Sequence, residues 1–353
     1  MVGPGRACLT SAYRGRVDWT DLPLARATVD RAAERRSQPD LVATLLADAA
    51  TRIVLVHGGL VATTSQGPAL TDDLPAHDLP AHDLPAHDRL ALDLLTPGDV
   101  GPLAPADRWL FLGADAATSY LALVLAAGAA PTLDVEGFPV DPRADVLAHR
   151  EFSHLRQVGA LLGGRDAGLA TTAIALAAWH ETHLRCPRCG TATDVIQAGW
   201  VRRCPADLSE HYPRTDPAVI MAVVDADDRL LLGHSAQWPE HRMSTLAGFV
   251  EPGEAIEQSV RREVAEEVGV TIGEVAYRGS QPWPFPASLM LAFRAQALTS
   301  TITVDGVEIT DARWFTRAEL AAAAAAGEVL LPMRASIARV LIEEWFGGAL
   351  PDA

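Results

Sequence analysis

The sequence predicts an α/β protein in three parts: an N-terminal α/β domain, a small cysteine-bearing module and a C-terminal α/β domain. Three observations carry this expectation. Apolar bursts such as "RIVLVHGG" (Arg52 to Gly59) and "RWLFLG" (Arg108 to Gly113) alternate with polar loops, as buried strands do. Three of the four cysteines fall between Cys186 and Cys204. After Pro217, "AVIMAVVDADDRLLLGH" reads as two strands around a turn at Ala226 to Asp228 and is followed by helical periodicity. A chain of 353 residues is long for one core, and two domains plus a module match its length.

Composition narrows the chemistry. Charged residues make up 21% of the chain and the net charge is −16, which argues against a protein that grips a phosphate backbone non-specifically. A small anionic substrate would instead require a metal ion. So few cysteines describe metal ligands in a reducing compartment rather than a disulfide framework, with Cys8 a bystander. The N-terminus has no apolar signal core, and the run "YLALVLAAGAA" (Tyr120 to Ala130) is too short to span a bilayer. The expectation is a cytoplasmic protein with no membrane partner.

Taken in order, residues 1–150 form the N-terminal α/β domain. It is interrupted at 73–88 by "DLPAHDLPAHDLPAHD", a proline-bearing repeat expected to be a disordered loop insertion. His77, His82 and His87 recur every five residues, which matches no rigid face and gives them no common point for a metal. Residues 151–183 read as linking helices, 184–212 as the cysteine module and 213–353 as the second α/β domain. The alanine run at Ala321 to Ala326 and "SIARVLIEEWF" (Ser336 to Phe346) close that domain as helices.

The chemistry concentrates in "GFVEPGEAIEQSVRREVAEEVGV" (Gly248 to Val270). Ile256, Val260, Val264 and Val268 recur every four residues, giving a helix one buried stripe. Glu263, Glu266 and Glu267 share a face beside it at i, i+3 and i+4. Three carboxylates so placed repel one another unless a cation lies between them, and Mg²⁺ or Mn²⁺ suits all-oxygen ligands. A solvated acidic face paired with Arg261 and Arg262 accounts for the same pattern. The preceding loop, with Gly248 and Gly253 bracketing Glu251, favours backbone that bends tightly toward a ligand.

Gly248, Glu254 and "REVAEEVGV" from Arg262 together resemble the complete signature box of the Nudix hydrolases. The resemblance implies the Nudix fold, a mixed sheet sandwiched by helices, and hydrolysis of a nucleoside diphosphate linked to another group. It implies divalent metal on Glu263, Glu266, Glu267 and Glu308, with Glu263, Glu266 and Glu267 catalytic, Arg262 pairing with the glutamates and Glu254 bracing the loop. Either Glu266 or Glu267 would take the proton of the attacking water.

Downstream, Gln281, Pro282, Trp283, Pro284, Phe285, Pro286, Ala287 and Ser288 spell "QPWPFPAS". Alternate prolines are expected to hold this segment extended, with Gln281, Trp283 and Phe285 on a common side, either as a platform for a flat heterocycle or tucked into the core. The segment resembles the tag of the NADH pyrophosphatase subfamily, which cleaves NADH or NAD⁺ to nicotinamide mononucleotide and AMP; several members remove NAD caps from RNA 5′ ends. The same resemblance implies substrate contacts at Arg156, Tyr212, Ala247, Phe249 and Ala338, and a homodimer whose pocket takes residues from both chains. Alternatives are ADP-ribose or dinucleoside polyphosphate hydrolysis, and a non-catalytic nucleotide sensor; the intact glutamates and the tag argue against both.

Cys186 and Cys189 form one Cys-x-x-Cys pair, with fourteen residues between Cys189 and Cys204, a spacing close to that of a zinc ribbon. Asp207 stands where a fourth thiolate would fall, and His211 follows four residues later. In the subfamily, two such pairs hold structural Zn²⁺, which implies a retained zinc here with Asp207 or His211 as fourth ligand.

Overall fold

The computed structural model describes residues 17–66, 89–100, 106–126, 132–133, 139–140, 143–148 and 150–351. Cys8 and the 73–88 repeat lie outside them.

The N-terminal unit is a seven-stranded sheet. Its strands are β1 (Arg52–His57), β2 (Leu60–Gln66), β3 (Arg89–Leu92), β4 (Leu94–Leu95), β5 (Arg108–Asp115), β6 (Thr118–Leu125) and, beyond a separate pair β7 (Thr132–Leu133) and β8 (Pro139–Val140), β9 (Glu151–Ser153). The order β3-β2-β1-β6-β5 is antiparallel except for the parallel pair β1 and β6. Strand alternation divides the burial of β1 between two cores. Ile53 and Leu55 face the helix α1 (Leu41–Leu46) and Val146 of the short helix α2 (Ala144–Leu147), whereas Val54 and Val56 face the opposite core. That second core includes Leu155 of α3 (Leu155–Val158) and the helix α4 (Gly164–Thr182), so α4, within the segment expected as linking helices, packs its Leu169, Ala173 and Leu176 into the sheet.

The end of α4 is joined to the cysteine module by a buried histidine. His180 donates from Nε2 to Gly199 O (2.8 Å) and accepts at Nδ1 from Arg202 (2.9 Å), an arrangement that requires the neutral ring. Burial, reinforced by the charges of Arg202 and Arg108, holds its pKa down to about 4. An unfolded histidine protonates near 6.5, so the native state loses stability as pH falls from about 6.5 to 4, by about 2–3 kcal/mol from this group. The denaturation free energy of wild type is expected to fall by that much more than that of His180→Gln over this range; parallel pH profiles would refute the assignment.

The cysteine module is an antiparallel meander of β10 (Asp194–Ile196), β11 (Val201–Arg203) and β12 (Glu210–His211). The C-terminal unit is a six-stranded mixed sheet of β13 (Asp216–Val224), β14 (Leu230–Ser235), β15 (Leu246–Phe249), β16 (Ile272–Trp283), β17 (Ser288–Ala297) and β18 (Ile309–Phe315). The order is β16-β17-β13-β14-β18, with β13 and β17 parallel and β15 also paired to β13. Both faces of β13 are buried. Val219, Met221 and Val223 meet Val260, Val264 and Val268 of α5 (Ile256–Val268), while Ile220, Ala222 and Val224 meet Leu320 of α6 (Arg317–Ala325) and Leu341, Ile342 and Trp345 of α7 (Ile337–Phe346). The sheet is therefore sandwiched by helices, and the every-four stripe of α5 is its inward face.

An early segment straps the two large units together. Leu22 enters the C-terminal core and Leu24 the N-terminal one. Between them, Pro23 O accepts a hydrogen bond from the Gln281 amide, which also donates to Ala335 O and accepts from Ile337 N.

Candidate active site and metal centre

The carboxylates expected from sequence converge on one rim. Ala255 caps α5 with extended backbone, Gly269 ends it at φ 70°, and the helix points Glu263 and Glu267 inward. Arg262 is the hub of the cluster. Its guanidinium donates to both oxygens of Glu254 (2.8 and 2.9 Å), to Glu263 Oε1 (2.9 Å), to Glu266 Oε2 (2.9 Å) and to Phe249 O (3.0 Å). Arg262 draws Glu254 down to about 2, and Glu254 Oε2 in turn accepts from Glu251 N, closing the turn that contains Gly253. The Gly248 Cα lies against the Glu263 carboxylate so closely that a methyl group there would overlap it.

Glu267 is the unusual member. It is buried, and its Oε2 has no hydrogen-bond partner. Burial, then the charges of Glu308, Glu263, Asp305 and Glu266, push its pKa up to about 8. Glu308 is presented by a turn in which Asp305 accepts from the backbone N–H groups of Val307, Glu308 and Ile309, and Asp305 N bonds back to Glu267 O. A buried carboxylate oxygen without a partner among like charges is the environment a divalent cation stabilises, so Glu267 and its acidic neighbours suit such a cation.

Glu267 and Glu308 open into a cleft of about 620 Å³ shared with Arg156, Ala247, Trp283 and Ala338. These six residues come from six separate stretches of sequence. Ala247 is on β15 and Ala338 in the first turn of α7, where Ser336 Oγ accepts from Ala338 N. Arg156 stacks on Phe285 (4.5 Å) and Trp283 (5.8 Å), which pack on each other at 5.1 Å and against the N-terminal core. Arg242, Trp238 and Thr245 also line the cleft. Isolated in sequence, they carry no periodic or motif signal that would have singled them out.

Other expected contacts lie elsewhere. Gln281 and Trp283 lie two residues apart on one strand, β16, whereas Phe285 belongs to the turn that follows it. Gln281 is fully buried, holding Pro23, Ala335 and Ile337 together, and the residues after Trp283 turn into β17 instead of staying extended. Within the sheet Pro282 pairs with Leu289 and Ser288 with Trp283, and Pro284, Pro286 and Ala287 belong to the turn. Phe249 and Tyr212 point outward, 58% and 61% exposed. Tyr212 borders a separate groove on the cysteine module, with Trp179, His183 and Arg214.

The module brings Cys186, Cys189, Cys204 and Asp207 together, with one ligand atom from each within 4.8 Å of the others. The Cys189 and Cys204 sulfurs are 3.5 Å apart and Cys186 Sγ is 3.7 Å from Asp207 Oδ2, close to the edge of a tetrahedral thiolate site, roughly 3.7 Å. Ser209 holds Asp207 Oδ1 through its backbone N–H (3.0 Å) and hydroxyl (2.5 Å), keeping the carboxyl well below the usual range and therefore anionic. His211 bonds Ser209 Oγ at 3.1 Å and borders Cys186, but it is not among the four clustered ligand residues. Three sulfurs and a carboxylate at these separations fit Zn²⁺. Asp207→Ala is expected to weaken zinc retention against a chelator by ~100-fold or more, and His211→Ala by ~10-fold at most. Equal zinc content in both variants and wild type would remove Asp207 from the site.

Comparison with known proteins agrees with this geometry. Residues 181–212 match the NADH pyrophosphatase zinc ribbon domain and residues 214–334 the NUDIX domain. Over 215 residues the chain is 43% identical to the NAD-capped RNA hydrolase NudC of Mycobacterium bovis, covering 58% of this chain and 69% of that one. The Mycobacterium tuberculosis protein of the same name matches to the same extent. The human NAD-capped RNA hydrolase NUDT12 is 42% identical over 193 residues, covering 51% of this chain and 42% of its own length. With its glutamate helix, its cysteine module and this shared length, the chain belongs to the Nudix hydrolases, in the NADH pyrophosphatase subfamily that carries a zinc ribbon.

Proposed function

We propose that the protein hydrolyses the diphosphate of NADH or NAD⁺ to nicotinamide mononucleotide and AMP, and removes NAD from the 5′ ends of RNA. The observation that carries this reading is the cleft itself, where Glu267 and Glu308 share a lining with Arg156 and Trp283 of the tag around about 620 Å³, a volume suited to a dinucleotide. Arg262 fixes Glu263 and Glu266, Glu254 pins the glycine turn, and Glu266 or Glu267 accepts the proton of the attacking water. Bound at Glu263, Glu266, Glu267 and Glu308, Mg²⁺ or Mn²⁺ supplies the positive charge that neutralises a diphosphate and activates water. Trp283 offers an aromatic edge to a base, and the cationic Arg156 held on its ring faces the phosphates.

A homodimer completes the reading. Phe249 and Tyr212 are exposed aromatics outside their own cleft, suited to a partner's substrate. Three free thiols, Cys186, Cys189 and Cys204, suit a reducing, cytoplasmic setting. No helix among the described residues is long and apolar enough to cross a membrane.

The test supplies purified protein with Mg²⁺ or Mn²⁺ and offers NADH, NAD⁺, ADP-ribose and NAD-capped RNA, with products separated by chromatography. AMP from NADH and a released NAD moiety from RNA are expected, with weak salt dependence for the RNA because a chain of net charge −16 holds little of its body. No AMP from NADH, or preferential cleavage of ADP-ribose, would reject the assignment.

A further inference from the structure

Among the described residues, eight buried side-chain polar atoms have no hydrogen-bond partner, and four of them line this one cleft: Glu267 Oε2, Arg156 Nε, Arg242 Nε and Thr245 Oγ1. Folded proteins leave few such atoms, and each calls for an explanation. Glu267 is accounted for by a cation. The two arginine Nε–H groups are donors only, so a cation cannot satisfy them, whereas the Thr245 hydroxyl can donate or accept.

The two arginines are the sharper problem. Each is half-buried and lies in the other's field: burial first, then the charge of Arg242, holds the Arg156 guanidinium below its ordinary pKa. Neither guanidinium makes an ion pair or hydrogen bond among the described residues; each has only aromatic rings beside it, Phe285 and Trp283 for Arg156 and Trp238 (5.3 Å) for Arg242. Two like charges lining one cleft repel, and an anion between them converts that repulsion into two charge-assisted hydrogen-bonding partners. The Arg242 side chain is not needed to build its loop. Its backbone does that, through Arg242 N to Pro239 O and His234 Nδ1 to Arg242 O.

We propose that Arg242, together with Arg156, forms an anion clamp that grips the phosphate oxygens turned away from the Glu267 and Glu308 wall. This rests on the diphosphate reading above and names the residue that completes it. The diphosphate lies between a carboxylate wall that needs a cation and an arginine wall that needs an anion. Arg242 is a binding residue, and its contribution is to substrate capture more than to the chemical step.

The experiment compares wild type, Arg242→Gln and Arg242→Lys in the full-length protein. Two readouts are taken: kcat and KM for NADH with Mg²⁺, and calorimetric binding of inorganic pyrophosphate with no Mg²⁺ or Mn²⁺ added. Arg242→Gln is expected to raise KM and the pyrophosphate Kd by about 10- to 100-fold, with kcat changed no more than about threefold and the melting temperature unchanged. Arg242→Lys is expected to recover part of both, since it restores charge without the planar fork. KM and Kd within twofold of wild type in Arg242→Gln would overturn the clamp, as would a defect confined to kcat. Pyrophosphate binding that depends on Arg242 in a wild type unable to hydrolyse NADH would overturn the diphosphatase reading and leave the clamp standing.

Discussion

Glu267→Gln is expected to lower kcat for NADH by about 10³-fold or more while leaving the protein as stable as wild type, or more stable, when no divalent cation is added. The two halves of this expectation have one cause. Glu267 is buried with a partnerless oxygen, and burial together with four neighbouring acids pushes its pKa to about 8. The amide keeps the shape and removes the charge that the site must otherwise tolerate. Divalent cation should therefore raise the melting temperature of wild type and do little for the variant. Steady-state kinetics and thermal melts with and without Mg²⁺ check both halves. A variant that keeps a tenth of the activity, or an unchanged response to Mg²⁺, would remove Glu267 from the metal site.

Gly248→Ala is expected to cost about 10²-fold in activity and roughly 1–3 kcal/mol in stability, because the added methyl occupies space already filled by the Glu263 carboxylate. Either the glutamate swings away from its bond to Arg262 or β15 shifts, and both disorganise the carboxylate rim. Gly253 provides a contrast within the same loop. It has φ +88° and open space around it, so Gly253→Ala strains only the backbone, by about 1 kcal/mol, and should spare most of the activity. Equal behaviour of the two variants in urea unfolding and turnover would argue that Gly248 serves the turn and not the close approach.

Much of the site was legible because its signals are local. The valine stripe of α5, the hairpin of β13 and β14 with Asp225 accepting from Asp227 N and Arg229 N at its turn, and the capping of α7 by Ser336 all follow from residues within a few positions of one another. The glutamate spacing and the cysteine pair belong to the same class, since helix pitch and a short knuckle place their own ligands. The fourth zinc ligand needed more. Both Asp207 and His211 fit the spacing, and only the path of the chain through Ser209 puts one in the cluster and leaves the other outside it.

The sequence alone determined that this chain carries the Nudix box, the tag and a ribbon, because each is a run whose side chains are positioned by their own backbone. Tertiary structure decided the rest. It turned Gln281 inward to bind Pro23 and α7, and turned Tyr212 and Phe249 outward. It also strapped residues 22–24 across both cores and brought Arg242 into the same cleft as Arg156. These positions are many residues apart. Which of them meet is set by how sheets and helices bury their apolar faces, a property of the whole packed chain that no short stretch encodes.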